Sequence, residues 1–403
     1  MKAVWALAGV VVGSGVALAG VGLAIARRLT APVSGRRYEL TIRALENTGE
    51  RPVVTLDRTS ATAGHGDYCL ILENGGWVRL APGVENRGPS LVGREVVGES
   101  GPGVAAGQRA SWSGIYFQNP ADAGLPSTDV EIQTDVGPAP AWLIPPGDAP
   151  STTWAIHIHG LGSTRAGTLR GVQVASEVGL TSLVVTYRND GEGPRVGTER
   201  SELGAAEVDD VRAAVNYARE NGARSIILFG WSMGAAIALQ LVADPKVRGI
   251  VTGLVLDSPI LDWVATLKAN CARSGLPAWA GALGIPWLNF RPLARLVGLA
   301  NPIDLRRFDW IARAGELTVP TLILNGTLDT SSPFELAKRL RARRPDIVDL
   351  QAYEADHTMS WNSDRERWRT VLAAWMAALS NDQGGFEPGP RSSTAPVKVT
   401  DSP

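Results

Sequence analysis

Hydrophobic and polar positions along the chain fall into three rhythms. Residues 3–26, "AVWALAGVVVGSGVALAGVGLAIA", carry no charge over 24 positions. A helix of that length spans a bilayer, so residues 1–28 read as an N-terminal transmembrane anchor. Residues 29–128 hold short apolar stretches, "YELTIRAL", "PVVTLDR", "YCLILENGGWVRL" and "WSGIYFQN", cut by Gly, Pro, Asn and Asp clusters. That spacing predicts short strands and turns. With no catalytic motif and no internal repeat, this stretch reads as a β-rich N-terminal extension.

From about residue 129, strand-like runs alternate with amphipathic segments. "DVEIQTDV" and "PAWLIPP" predict a strand pair, and "TWAIHIHG" a buried strand ending in a loop. "TLRGVQVASEVG" and "AAEVDDVRAAVNYARENG" read as helices, the second with a glycine stop. "TSLVVTYRND", "RSIILFG", "GIVTGLVLDSP", "VPTLILNGTLD" and "DIVDLQAYE" supply further strands, and "DRERWRTVLAAWMAAL" closes with a helix. Such alternation implies a parallel sheet covered on both faces, an α/β fold. Residues 129–380 form the expected catalytic domain, with a helix-rich cap insertion at 264–315. Residues 381–403, rich in Gly, Pro and Ser, are expected to be a disordered tail.

Composition changes this picture little. A hydrophobic fraction of 44% and a charged fraction of 20% suit a globular core. A net charge of −1 without a basic stripe argues against nucleic acid as a partner. Cys69 and Cys271 match no zinc or disulfide spacing. His65, His157, His159 and His357 sit in no metal-ligand pattern, so neither metal nor cofactor is expected. Arg27, Arg28, Arg36 and Arg37 follow the apolar run and only Lys2 precedes it. The positive-inside tendency then favours a single-pass protein with a cytoplasmic catalytic domain. A cleaved signal ending near "ALA" at 17–19 is the alternative.

The candidate chemistry lies in "SIILFGWSMGAAIAL", residues 225–239. Gly-x-Ser-x-Gly alone is a weak signal in a glycine-rich chain, but here an apolar strand precedes it and a helix follows at once. Strand, sharp turn and helix define a nucleophile elbow, with Ser232 at its tip. A serine hydroxyl needs a base, and His357, just past the last strand, is the one histidine after Ser232. Asp329, beyond the strand "TLILNG", suits the acid that orients it, with Asp257 one strand earlier as the rival. Two N–H groups must receive the oxyanion. Met233, directly after the nucleophile, is one candidate. Leu161, in "HGLGST", is the other, with His159 and Gly160 shaping that loop.

Taken together, "HGLG", "GWSMG", "NGTLD" and "DH", in this order over residues 129–380, resemble the α/β-hydrolase superfamily. "YRNDG", "LGAAEVDDV" and "LVLDSPILDW" resemble its bacterial membrane-anchored BEM46-like and serine aminopeptidase-like branch. The resemblance implies an eight-stranded, mostly parallel sheet with helices on both faces, and hydrolysis by a Ser-His-Asp triad. It covers neither the N-terminal extension nor the cap. Trp263, Trp279, Trp287, Phe290 and Trp310 lie in or beside the cap. They are expected either to pack it on the core or to wall an acyl pocket. Arg188, Asp190 and Glu207 are candidates for an ion-pair network near the site. The leading function is carboxylic-ester hydrolysis of a small-molecule acyl substrate. A peptidase or amidase, and a non-catalytic binding module, are the alternatives.

Overall fold

The computed structural model describes residues 2–47, 49–147 and 151–381, with side chains from residue 15 to residue 379. The expected tail lies outside the described residues apart from its first position.

Two eight-stranded sheets organise the chain. The first gathers short antiparallel strands between Leu40 and Ser113. Val54, Leu56, Leu70, Leu72, Val78, Leu80 and Val92 fill its interior. Among them sits Arg94, fully buried. Its guanidinium donates to the carbonyls of Thr62, Gly64, Gly66 and Ala81 at 2.7–3.3 Å. A buried cation is costly unless its donors are satisfied, and these four acceptors tie the 62–66 loop to the sheet. Burial pushes this guanidinium down to about 10, so it stays charged at neutral pH.

The second sheet carries the strands β1 (Thr128–Thr134), β2 (Gly137–Ile144), β3 (Thr153–Ile158), β4 (Thr181–Val185), β5 (Ser225–Trp231), β6 (Val251–Asp257), β7 (Thr321–Gly326) and β8 (Val348–Tyr353). Their spatial order is β8-β7-β6-β5-β3-β4-β2-β1. The sheet is mixed. Pairings from β8 across to β4 are parallel, and β2 runs antiparallel to both β4 and β1. Successive residues on each inner strand enter opposite cores. Ile226, Leu228, Leu254 and Leu256 face one, while Ile227, Phe229 and Val255 face the other. That is why these strands read as continuous apolar runs rather than alternating ones.

Ten α-helices with described boundaries follow the chain: α1 (Lys2–Leu29), α2 (Leu169–Glu177), α3 (Glu207–Glu220), α4 (Met233–Ala243), α5 (Trp263–Arg273), α6 (Ile285–Asn289), α7 (Arg291–Val297), α8 (Phe334–Arg343), α9 (Ser360–Ser363) and α10 (Arg365–Asn381). Helices α3, α4 and α8 pack on the first face of the second sheet and α2 and α10 on the other. The antiparallel module joins the second face through Cys69 and the neighbouring Tyr116 and Phe117.

The expectation of a membrane anchor is corrected here. Among the described residues no helix is long and apolar enough to cross a membrane. The end of α1 is instead built into the protein. Ala26 is fully buried in the same core as the first face of the sheet. Gly22 lies so close to the insertion that a β-carbon would stand 2.2 Å from Leu283 O and 2.8 Å from Trp287 Nε1. Arg27 donates to Leu296 O at 2.8 Å, and Arg200 donates to Arg27 O at 2.8 Å. Trp287 therefore packs against α1. Trp310 is fully buried, and Trp263 donates from its indole to Leu203 O at 3.0 Å. Trp279 and Phe290 are exposed. The insertion packs on the core, and none of these five rings lines the pocket at Ser232.

Candidate active site

Ser232 stands between β5 and α4 with φ 52° and ψ −113°. A non-glycine residue takes such a backbone at a cost of about 1–3 kcal/mol, and the surroundings enforce it. Ser232 N–H donates to Asp257 O at 3.0 Å, and Ile260 N–H donates to Ser232 O at 3.2 Å. The flanking glycines let the turn close. A β-carbon on Gly230 would meet Ala235 N at 2.5 Å, and one on Gly234 would meet Ile158 O at 2.1 Å. The sharp turn lifts the hydroxyl above the carboxyl ends of the strands, where open α/β sheets bind ligands.

The loop after β8 brings His357 to the serine. Its Nε2 accepts the Ser232 hydroxyl at 2.8 Å, and its Nδ1 lies 2.8 Å from Asp329 Oδ2. A carboxylate only accepts, so Nδ1 carries the proton and Nε2 has the lone pair facing the hydroxyl. Asp329 is fixed in turn. Its Oδ1 accepts the Ser331 and Ser332 N–H groups at 2.9 and 2.7 Å. The Asp329 side chain is sealed, whereas His357 keeps a 22% exposed side chain. The rival Asp257 does not reach His357. It ends β6, fully buried, with Oδ2 accepting the Trp368 indole at 3.1 Å and Oδ1 without a partner among the described residues. Burial pushes its carboxyl up to about 6, against the pull of the Arg170 guanidinium.

The loop after β3 closes the other side. Gly160 lies against the serine, where a β-carbon would stand 3.0 Å from Ser232 Cβ. Leu161 lines the same pocket as Ser232. Met233 is the first residue of α4, where a helix leaves its N–H groups unsatisfied. His159 lies under this loop. Its Nε2 is 2.9 Å from Asp190 Oδ2, and Tyr187 stacks on the ring at 4.4 Å. The Tyr187 hydroxyl reaches the carbonyls of His159 and Gly160 at 3.1 and 3.2 Å. Burial alone would raise Asp190, but its bond to His159 and to the Gly193 and Tyr187 N–H groups holds it below its ordinary value. His157 is a core residue, pushed by burial down to about 3 and paired with Ser182 Oγ at 3.1 Å.

The expected network of Arg188, Asp190 and Glu207 does not form. Arg188 makes a bidentate pair with Asp210, at 2.8 and 2.6 Å. Glu207 accepts the Ser201 hydroxyl at 2.6 Å and the Gly204 N–H at 2.9 Å. Glu207 is taken up by the loop just before it, and Asp190 by its own turn together with the distant His159.

Sequence reasoning missed the part played by the N-terminal sheet. Gly114 and Ile115, which follow its last strand, line the pocket at Ser232. Asn362 on α9, five positions after His357, is the joint. Its side-chain amide donates to Asp67 O at 2.6 Å and Gly114 O at 3.0 Å. Its Oδ1 accepts Arg170 at 2.6 Å, and Arg170 also donates to Thr358 O at 3.2 Å. The histidine loop is thus clamped between the N-terminal sheet and α2. No motif marks these contacts, because each joins residues far apart in sequence.

A nucleophile elbow, a histidine and a buried carboxylate on a mixed eight-stranded sheet define a hydrolase of the α/β class, and comparison with known proteins agrees. An alpha/beta hydrolase family model matches residues 155–385, more than half of the chain. The chain belongs to the alpha/beta hydrolase family and is an enzyme of the serine-hydrolase type. Residues 41–113 match a domain of unknown function, DUF8805. No curated protein matches the chain in sequence. Among solved structures, a Pyrococcus furiosus esterase, Pf2001, is 20% identical with a TM-score of 0.51, over 64% of this chain and 95% of that one. A Pyrobaculum calidifontis esterase is 19% identical with a TM-score of 0.47, over 65% and 87%. At 20% identity the likeness to Pf2001 is one of fold.

Proposed function

We propose that the chain hydrolyses carboxylic esters through an acyl-enzyme held on Ser232. The observation that carries this reading is the unbroken relay from Ser232 Oγ to His357 Nε2 and from His357 Nδ1 to Asp329, both links at 2.8 Å. Ser232 Oγ attacks the acyl carbonyl carbon as His357 takes its proton. The carbonyl π electrons move to oxygen, which the Met233 and Leu161 N–H groups receive. The electrons return, the bond to the alcohol oxygen breaks, and His357 gives that oxygen the proton. Water then attacks the acyl carbon with His357 as base, and the acid leaves as Ser232 regains its hydrogen. Asp329 keeps the imidazole in the required tautomer and steadies its charged form. No metal or cofactor has a part in these steps.

In this reading residues 129–380 are the catalytic domain, 264–315 its cap, and 29–128 a module that walls the site. Fluorophosphonate labelling of the full chain, wild type against Ser232→Ala, with p-nitrophenyl acetate turnover on the same samples, tests it. Labelling and turnover should both vanish in the variant. A folded wild type that takes no label would remove the reading.

A further inference from the structure

Two cavities meet at His357 and Met359. The smaller, about 130 Å³, is lined by Ser232, Leu161 and Trp231 together with Gly114 and Ile115. The larger, about 1010 Å³, runs between the catalytic sheet and the N-terminal module. One wall carries Leu328 and Tyr353, and the facing wall carries Tyr68 and Trp112. No motif predicted this cleft, and His65, which sequence order places too early to act as the base, stands on its edge.

The N-terminal wall is built rather than incidental. Tyr68 and Trp112 lie with ring centroids 4.8 Å apart, and the Arg94 guanidinium backs both, 5.8 and 5.5 Å from their centroids. The four carbonyls on Arg94 fix the 62–66 loop beside them. Asn362 and Asp67 bond reciprocally, Asp67 N–H to Asn362 O at 2.9 Å and Asn362 Nδ2 to Asp67 O at 2.6 Å. That double bond line pins the wall to the helix that follows His357. Glu354, Asp356 and Asp364 line the cleft against one guanidinium, Arg367, which is itself engaged with Ala352 O at 2.8 Å. Even with the Arg94 guanidinium behind the wall, three carboxylates face two cations, and that balance disfavours an anion.

Chemistry assigns the two spaces. His357 must reach the leaving oxygen to protonate it, so the alcohol half of an ester lies on the histidine side. The acyl half then occupies the small pocket. A dry cavity of about 150 Å³ takes a benzene, which limits the acyl group to a short chain. We propose that the cleft faced by Trp112 is the leaving-group subsite, and that the substrates are short-acyl esters of bulky, non-anionic alcohols. This rests on the ester-hydrolase reading and deepens it: the N-terminal module selects the alcohol.

The test is kcat/KM of the full-length protein for benzyl acetate, ethyl acetate and benzyl octanoate. Intrinsic reactivity cancels when the benzyl-to-ethyl ratio of a variant is divided by that of the wild type. Trp112→Ala should lower this ratio about tenfold, the value of one aromatic contact, and Trp112→Phe should recover most of it. Leu328→Trp, at a rim position 58% exposed and so no threat to the core, should lower the ratio as well by filling the cleft. It decides the matter if Trp112→Ala does not fold. In the wild type, benzyl octanoate should turn over at least about 100-fold more slowly than benzyl acetate, through overpacking of the small pocket. An unchanged ratio in the folded variants, or an octanoate as fast as the acetate, would overturn the subsite. If Ser232 labels with fluorophosphonate while the ratio stays flat, only the subsite fails. If Ser232 does not label, the ester-hydrolase reading fails with it.

Discussion

Two histidine–aspartate pairs flank the same serine, and only one of them is set up to move a proton. His357 and Asp329 are 2.8 Å apart, and His159 and Asp190 2.9 Å apart. Their lengths do not separate them. The other ring nitrogen does. His357 Nε2 faces the Ser232 hydroxyl, whereas His159 Nδ1 faces the Gly160 carbonyl and the Tyr187 hydroxyl at 3.0 and 3.1 Å. Exposure follows the same division: 22% of the His357 side chain is open, against 1% for His159. In the proposed mechanism, the pair with one end at Ser232 and a route to solvent is the machinery. The same pair with both ends sealed is a strut, here holding the loop that carries Leu161.

That division predicts graded losses. His357→Ala should cost about a millionfold in kcat for p-nitrophenyl acetate, as losing a base that acts with its nucleophile does, while leaving the melting temperature nearly unchanged. A loss below about a hundredfold would break the assignment, since oxyanion donors and binding alone leave a large residual rate. Asp329→Asn should cost about 10⁴ in kcat by favouring the wrong tautomer. Asp257→Asn, measured beside it, should cost far less, and equal losses would point to a shared role for the two carboxylates. Asp190→Asn should behave unlike either. Turnover should fall about a hundredfold as one oxyanion donor loses its place. Stability should fall by about 2 kcal/mol, since the buried hydrogen bonds from His159, Tyr187 and Gly193 lose their charged acceptor. A drop in turnover with an unchanged unfolding curve would make His159 and Asp190 part of the machinery.

The side chains that meet as Ser232, His357 and Asp329 were legible because their placement is local or ordered. Gly230, Ser232 and Gly234 sit in one turn, and the strand after which each partner falls can be counted from apolar runs. The inner strands of the second sheet were legible as apolar runs because they are buried on both faces. What was not legible depends on contacts between distant segments. Arg94 reads as an ordinary polar strand residue, yet it is fully buried under four carbonyls. Gly114 and Asn362 carry no motif, yet they join the N-terminal sheet to the histidine loop. The apolar run at 3–26 was misread because run length alone does not say what covers an apolar face. Among the run's described side chains only the end is covered by the protein itself: Ala26 is buried, while Val16, Leu18 and Val21 are exposed. Arg188 took Asp210 on α3 rather than Asp190 in its own loop or Glu207 at the start of the same helix.

Asp257, which ends β6 beside the strand that precedes Asp329, sharpens the same lesson through pH. Asp257 has no cationic partner in hydrogen-bond reach among the described residues, and burial raises its carboxyl from 3.8 to about 6. The folded protein therefore binds this proton more tightly than the unfolded chain. Its contribution to stability is fully present below pH 3.8 and is lost as the pH rises through about 6. Asp257→Asn keeps an acceptor for the Trp368 indole and removes the charge. The variant should be more stable than wild type at pH 8, by up to about 3 kcal/mol from a shift of roughly two units. The gain should shrink towards zero by pH 4. Urea unfolding of both proteins across that range reads the difference directly. A gain that grows towards acid would mean that Asp257 is held ionised in the fold, with Arg170 rather than burial governing it.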